Sequence, residues 1–246
     1  MSAYRAFAAY YDRLTREIDY PGRAAYFDRL IRQHLPVDSG TILLDLACGT
    51  GSLSVEFSKL GYDVIGVDAS PDMLAEAQQK PATRPVLYLC QTFQQLDLYG
   101  TVDVAVCALD SLNHITRLGE LEQAVGRVSL FTAPGGLFLF DVNTPYKHRE
   151  VLGNNTFVYD LDDLYCVWQN TTDRQLRTRI SLDFFVRRQG AYYRESERFY
   201  ERGYTREQLE GVLARTGYQL LAVYGADTQQ PLGETDQRAV YLARKL

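Results

Sequence analysis

Two spaced glycines stand between an apolar segment and a helical pattern in LLDLACGTGSLSVEF, residues 43–57. Gly49 and Gly51 have no Cβ, so the backbone can turn sharply there and approach a ligand closely. Open α/β sheets bind their ligands at turns of this kind, at the carboxyl end of a central strand. Two glycines alone are equally compatible with a tight strand-to-helix turn that binds nothing.

Acidic residues on either side of the glycine turn indicate what it would bind. VIGVD ends at Asp68, and a carboxylate at that place can accept hydrogen bonds from both hydroxyls of a ribose. Asp45 precedes the turn, where it would repel a pyrophosphate and suit a cationic ligand such as a sulfonium with an ammonium group. We also expect Asp45 to hold the loop through backbone hydrogen bonds. The glycine turn and Asp68 together favour an adenosine-type cofactor, and Asp45 with Ser54 at the third glycine position argues against a nicotinamide dinucleotide.

Apolar segments of strand length alternate with helical patterns before and after these residues. A helical pattern over 3–35 is divided into two helices by Pro21-Gly22. Five strands are predicted, over residues 41–47, 63–68, 86–91, 102–109 and 137–142. A helix over 206–216 precedes two final strands, YQLLAVYG and AVYLARK. Strands that are apolar on both faces and alternate with helices predict a doubly wound, Rossmann-like α/β fold.

From Phe157 to Tyr200 the apolar period becomes two, which predicts an antiparallel β insert of four strands. We assign residues 1–150 and 203–246 to the cofactor domain and residues 151–202 to the insert, acting as a lid. One face is expected to pack through Leu176, Ile180, Leu182 and Phe184. The other, with Tyr193, Phe199 and arginines, is expected to face the site or a partner subunit. Cross-strand ion pairs would explain most of its charges.

DLACGTG followed by VIGVD resembles the first two motifs of the class I S-adenosylmethionine-dependent methyltransferases. The N-terminal YxxFAxxYD of residues 4–12, DSLNH of 110–114, FDVNTPYK of 140–147 and the insert resemble a bacterial subgroup of that family. The resemblance implies a seven-stranded sheet whose last strand is antiparallel and lies beside the sixth, with S-adenosylmethionine as the cofactor.

The resemblance also implies roles for individual residues. The methionine part of the cofactor would lie against Ala47, Cys48, Gly49 and Gly51, and Met73 would pack on adenine or belong to the core. Thr92 stands where relatives often carry an acidic adenine contact. With Asp45 and the ribose-binding Asp68, the predicted cofactor site consists of Tyr11, Asp45, Ala47, Cys48, Gly49, Gly51, Asp68, Ala69, Met73, Gln91, Thr92, Phe93, Leu109 and Asp110.

Methyl transfer from a sulfonium is an in-line displacement, for which alignment and water exclusion can supply about 7–11 kcal/mol. An oxygen or nitrogen nucleophile can still need a base, and Asp110 and His114 are the predicted catalytic residues, with Asp141 and His148 as further candidates. Asn113-His114 could equally cap the next helix. The four cysteines show no CxxC spacing, so neither a metal nor a disulfide framework is predicted.

A formal net charge of -5 argues against a nucleic-acid partner, and no apolar segment is long enough to span a membrane. Cysteines in apolar strands favour a cytoplasmic protein. We expect a methyltransferase that acts on a small-molecule acceptor by O- or N-methylation. A non-catalytic S-adenosylmethionine-binding sensor or partner subunit and an RNA methyltransferase are the alternatives. A homodimer through the insert is compatible with each of them.

Overall fold

The computed structural model describes residues 5–226 and 228–246, with side chains from Tyr10 onward. Tyr4 of the N-terminal motif lies outside the described residues, and the side chains of Phe7 and Ala8 are likewise not described. The chain begins with helices α1 (Arg5–Leu14) and α2 (Tyr20–Arg32).

The break between these helices lies earlier than predicted. Pro21 and Gly22 occupy the first turn of α2, and Asp19 caps the helix by accepting a 2.9 Å hydrogen bond from the Gly22 N–H. Proline fits a first helical turn because its missing N–H would have no partner there. Pro21 therefore begins the second helix and does not end the first one.

In the described part of the chain, seven strands form the central sheet: β1 Ile42–Leu46, β2 Asp63–Asp68, β3 Leu87–Cys90, β4 Val102–Cys107, β5 Thr132–Asn143, β10 Tyr218–Gly225 and β11 Arg238–Lys245. Their order across the sheet is β10-β11-β5-β4-β1-β2-β3. β11 is antiparallel to both β5 and β10, and the five strands β1 to β5 are parallel to one another. The predicted seven-stranded sheet, with its last strand antiparallel beside the sixth, is confirmed.

Helices cover both faces of this sheet, as the doubly apolar strands predict. The remaining helices are α3 Ser52–Lys59, α4 Pro71–Ala77, α5 Leu118–Phe131 and α6 Arg206–Arg215. One core cluster takes Phe27 from α2 and Phe57 from α3, and the other takes Leu121 from α5 and Leu209 from α6. The strand order reverses between β1 and β4, so the carboxyl ends of these strands border the crevice in which such sheets bind ligands.

β5 begins earlier than predicted, directly after α5. Thr132 pairs with Val102 and Leu137 with Val104, so residues 133–136 form an irregularity in the ladder between β4 and β5. Pro134 and Gly135 lie within it, which is where a strand accommodates residues that cannot pair regularly.

The insert is a separate four-stranded antiparallel sheet, as its period-two pattern predicts. Its strands are β6 Thr156–Leu161, β7 Leu164–Thr172, β8 Arg177–Arg188 and β9 Ala191–Arg202, and they lie in the order β6-β7-β8-β9. One face is buried, with Ile180, Leu182 and Phe184 at its centre, and Tyr10 of α1 packs on it with its ring centroid 5.5 Å from that of Phe184. α1 therefore packs against the insert.

The expected division of the insert into two functional faces is wrong. Directly opposed residues of an antiparallel pair share a face. Phe199 is paired with Ile180, and Tyr193 with Val186, so both lie on the packed face. The opposite face carries most of the arginines, of which Arg194 forms a 2.9 Å ion pair with Asp183, as cross-strand pairing predicts.

No helix in the described part of the chain is long and apolar enough to cross a membrane.

Candidate functional site

A cavity of about 520 Å³ opens at the carboxyl edge of the central sheet and continues beneath the insert. Its volume lies within the range of about 300–1,000 Å³ that is typical of small-molecule sites. The part that we name the sheet end is lined by Leu46, Ala47, Gly49, Val67, Asp68, Ala69, Met73, Gln91, Phe93 and Leu109. The part that we name the insert end is lined by Asp110, His114, Asn143, Lys147, Tyr159, Trp168, Phe199, Glu201 and Arg238. Tyr11 and Leu14 of α1 also border the cavity.

The glycine turn between β1 and α3 uses its two glycines differently. Gly49 has φ +55° and lines the cavity, and a Cβ built on it would meet no atom within 4 Å. Gly51 has φ +73°, but its Cβ would collide with the Tyr88 hydroxyl and the Ala77 methyl group. Gly49 therefore keeps space open for a ligand, whereas Gly51 permits close packing behind the turn and does not line the cavity.

Asp68 lines the sheet end and also holds the glycine turn. One carboxylate oxygen accepts from the Gly49 N–H at 2.9 Å and the other from the Ser70 N–H at 2.8 Å. Burial raises the pKa of Asp68, and these backbone N–H groups oppose the shift. Each carboxylate oxygen has a further lone pair, so Asp68 can accept ribose hydroxyls without losing its backbone bonds.

Asp45 is held by a side chain and not by the expected backbone hydrogen bonds. The Ser54 hydroxyl donates to its Oδ2 at 2.5 Å, and both residues are buried. Burial raises the pKa of Asp45 to about 7, against the opposing effect of the Ser54 hydrogen bond. Asp45 lies in a small recess beside the cavity that Tyr11, Tyr20 and Cys48 also line. Ser54 and Tyr20 were missed because a serine in the glycine position and a tyrosine in a helix are not specific signals.

The segment after β3 contributes only part of what was predicted. Gln91 and Phe93 line the sheet end, but Thr92 does not, and its hydroxyl donates to the Gln95 side chain at 3.1 Å. The structure therefore gives no support to an adenine contact from Thr92. Met73 is 5% exposed and lines the cavity, so it belongs to the core and also forms part of the cavity wall.

The turn after β4 has left-handed backbone at two residues that are not glycine. Leu109 has φ 57° and Asp110 has φ 55°, a conformation that costs free energy and concentrates at functional sites. Asp141, which is fully buried, accepts from the Leu109 N–H at 2.9 Å and the Asp110 N–H at 2.7 Å. It also pairs with Arg23 at 3.0 Å and with Arg238. Asp141 thus holds the turn, and its candidacy as a base is wrong because it does not line the cavity.

Two other polar residues join the insert to the sheet instead of acting in the cavity. His148 is fully buried, and its Nδ1 lies 2.8 Å from the Thr178 hydroxyl. Burial lowers the pKa of His148 to about 4, and it lies outside the cavity lining, so its candidacy as a base is wrong. Asn113 donates to the Arg202 carbonyl at 2.8 Å and does not cap α5, whose N-terminal residue lacks a side-chain cap.

Asp110 places a negatively charged carboxylate at the insert end. Its Oδ1 accepts from Arg238 at 2.6 Å and its Oδ2 from the Asn143 amide at 3.0 Å. Burial alone would raise the pKa of Asp110, but the charges of Arg238 and Lys147 outweigh burial and hold that pKa below its ordinary value. Asp110 is therefore ionised at neutral pH and is a weak base.

His114 and Glu201 face each other at the same end. His114 Nε2 lies 3.8 Å from Glu201 Oε1, and the His114 ring lies 5.3 Å from that of Phe199. Burial lowers the pKa of His114. Glu201 is 4% exposed, and burial together with the charge of Asp110 raises its pKa to about 8. Glu201 was not predicted, although an acidic residue on the inward face of β9 is a signal that could have found it.

Asp110, His114 and Glu201 also present ligand atoms within 4.8 Å of one another, a spacing that a metal ion could bridge. Arg238 and Lys147 already place positive charge beside the same carboxylates. Because a divalent cation would be repelled by both, the absence of a metal stays our prediction.

The doubly wound sheet, the glycine turn and the carboxylate at the end of β2 define a Rossmann-like protein built to bind an adenosine cofactor. The methyltransferase domain family matches residues 43–136. YqeM of Bacillus subtilis (strain 168), which carries a provisional name as a methyltransferase, is 32% identical over 98% of this chain and 97% of its own. The crystal structure of an S-adenosylmethionine-dependent methyltransferase from Clostridium acetobutylicum ATCC 824 matches with a TM-score of 0.86 and 31% identity over 98% of each chain.

The chain belongs to the class I S-adenosylmethionine-dependent methyltransferases, and S-adenosylmethionine is its cofactor. The sugar N-methyltransferase KedS8 from Streptoalloteichus sp ATCC 53650 shares the fold, with a TM-score of 0.77 and 22% identity over 96% of this chain and 92% of its own.

Replacing Asp68 with alanine should weaken S-adenosylmethionine binding roughly a hundredfold, because hydrogen bonds to a charged group contribute about 1.5–3 kcal/mol each. Isothermal titration calorimetry measures this change. Asp63→Ala, at the exposed start of the same strand, is the matched control and should bind normally. Unchanged affinity in a folded Asp68→Ala protein would remove Asp68 from the site.

Gly49→Val should abolish cofactor binding by filling the space beside the turn. Gly135 is the matched control, since it also has a positive φ and open space around its missing Cβ but lies outside the cavity. Both valines should destabilise the fold by about 1–3 kcal/mol through backbone strain, measured by chemical denaturation. Only Gly49→Val should lose binding, and equal loss in the two variants would contradict a specific role for this turn.

Proposed function

We propose that the protein transfers the methyl group of S-adenosylmethionine to an oxygen or nitrogen atom of a small molecule held in the insert end. The observation that carries this proposal is the continuity of the two ends within one cavity. A ligand at the glycine turn and a second molecule beneath the insert would meet beside Leu109 and Asp110, the turn that both ends share.

The residues of the sheet end fit the cofactor chemically. Gly49 leaves open space where the methionine part would pass, and Asp68 has lone pairs for the ribose hydroxyls. Met73 and Phe93 offer apolar walls for a purine ring. Bound S-adenosylmethionine supplies an activated methyl group. The protein then has to orient the acceptor and exclude water, which the aromatic walls contributed by the insert would do.

The insert end suits a polar small molecule. Tyr159, Trp168 and Phe199 form an aromatic wall, opposite charged and amide groups that can donate and accept hydrogen bonds. Such a mixture of apolar wall and a few polar groups is typical of small-molecule sites. KedS8 is a sugar N-methyltransferase with the same fold, which supports a polar acceptor without deciding between oxygen and nitrogen.

An RNA acceptor is less well supported. RNA binding depends on positive charge that neutralises phosphates. The net charge of the chain is -5, and the insert arginines Arg188 and Arg194 are paired with Glu195 and Asp183.

The homodimer predicted through the insert and the cytoplasmic location are further expectations, which sedimentation and cell fractionation would test.

Methyl-labelled S-adenosylmethionine and fractionated cell extract test the proposal directly. We expect the label to enter the protein-free fraction below about 3 kDa, since a cavity of about 520 Å³ has to hold both reactants. Total RNA and denatured protein serve as parallel acceptors. Labelling of RNA or protein, with none in the small-molecule fraction, would overturn the small-molecule assignment.

Trp168→Ala should lower this labelling at least about tenfold while changing the affinity for S-adenosylmethionine by less than about threefold, because Trp168 belongs to the insert end. Tyr165→Ala is the matched control, because Tyr165 lies on the same strand but on the opposite face of the sheet, where its side chain is 37% exposed. If both variants transfer the label to the small-molecule fraction as well as the wild-type protein does, the insert does not form the acceptor site.

A further inference from the structure

Three acid–base groups meet at the insert end, each from a different element. Asp110 follows β4, His114 lies in the short helical turn Ser111–His114, and Glu201 comes from the last strand of the insert. All three line the cavity, and their nearest side-chain oxygens and nitrogens lie within 4.8 Å of one another. Their positions beside the shared turn make them the candidates for handling a proton during methyl transfer.

The hydrogen bonds of these groups separate their roles. Both oxygens of Asp110 are engaged at close range, by Arg238 at 2.6 Å and by Asn143 at 3.0 Å. Among the described residues, Glu201 has only longer contacts, an Asn143 amide at 3.4 Å and His114 Nε2 at 3.8 Å. A carboxylate without a close cation can take up a proton at much lower cost than one locked in an ion pair.

We propose that Glu201 is a catalytic residue that accepts the proton lost by the nucleophilic atom of the acceptor. This proposal rests on the proposed function, in which a small molecule occupies the insert end. A lone pair of the nucleophile forms the new bond to the methyl carbon, and the carbon–sulfur bond breaks with its electron pair moving to sulfur. The nucleophile's proton moves to the Glu201 carboxylate. The products are S-adenosylhomocysteine, the neutral methylated acceptor and protonated Glu201.

The charged surroundings of Glu201 support this role. Burial and Asp110 raise the pKa of Glu201 to about 8, and Lys147 and Arg238 oppose the shift. A base performs best when its pKa lies near the working pH. The neighbouring His114 has a lowered pKa, and the pKa of Tyr11 is raised well above 10. Among the groups facing Glu201, Lys147 also has a lowered pKa and has to be tested separately.

Sinefungin offers a test that needs no methyl acceptor. It carries an amine in place of the methyl-bearing sulfonium, so its ammonium group should project towards Glu201, whereas S-adenosylhomocysteine has no group there. Glu201 is largely protonated at pH 6.5 and ionised at pH 9, given its pKa of about 8. The affinity for sinefungin relative to S-adenosylhomocysteine should therefore rise at least about tenfold between these pH values. Ionisation of Asp45 should change the affinity for both ligands equally, because Asp45 lies near a part that sinefungin and S-adenosylhomocysteine share. Its effect therefore cancels in the affinity ratio.

The variants identify the titrating group. Glu201→Gln preserves the side-chain shape and should make the affinity ratio independent of pH, with S-adenosylhomocysteine binding unchanged within about threefold. Glu197→Gln, on the same face of β9 but outside the cavity lining, should behave as wild type. In Lys147→Met the rise should persist but begin at a higher pH, because Lys147 lowers the pKa of Glu201.

The proposal is overturned if the wild-type ratio does not rise, if Glu201→Gln retains the rise, or if only Lys147→Met abolishes it. The experiment involves no acceptor. If the labelling experiment identifies RNA as the acceptor, the proposed function is wrong, but the affinity ratio can still show that Glu201 titrates beside the cofactor. The two failures are therefore distinguishable.

Discussion

The buried carboxylate of Asp141 fixes the turn on which both ends of the cavity depend. It binds two successive N–H groups of the left-handed residues Leu109 and Asp110, and it is compensated by Arg23 and Arg238. Arg238 also binds Asp110, so one guanidinium joins the structural carboxylate to the one in the cavity. Leaving one member of such a buried pair without its partner typically costs about 3–5 kcal/mol. The cluster therefore keeps strained backbone in place at the turn where cofactor and acceptor would meet.

The features that could be predicted from the sequence are those determined by residues that lie close together in the chain. The glycine turn and Asp68 belong to two successive strand ends, and parallel pairing of β1 with β2 brings them together. The period-two pattern of the insert likewise follows from one buried face. In each case a short segment carries both the structural signal and the functional residue, so local reasoning is sufficient.

Apart from Asp110, His114 and Phe199, the insert end could not be predicted in the same way, because its residues come from distant segments. Glu201, Arg238 and Lys147 approach Asp110 only after the insert and β11 have paired with their neighbours. Asp141 and His148 have the residue types of a base, but burial against N–H groups or a hydroxyl gives them structural roles. The type of a residue did not distinguish a carboxylate that lines the cavity from one that holds a turn. Distance and hydrogen-bond partners did.

The contrast between Asp110 and Glu201 shows how one small site can give two carboxyl groups opposite properties. Arg238 keeps Asp110 ionised, and the resulting negative charge, together with burial, makes ionisation of Glu201 less favourable. Two carboxyl groups whose environments push their pKa values apart commonly divide electrostatic and proton-transfer roles. The strand that supplies Glu201 also supplies Phe199 of the aromatic wall. With the role proposed for Glu201, an insert placed over the site would combine proton acceptance and water exclusion in one element, which would be a reason for a methyltransferase sheet to carry it.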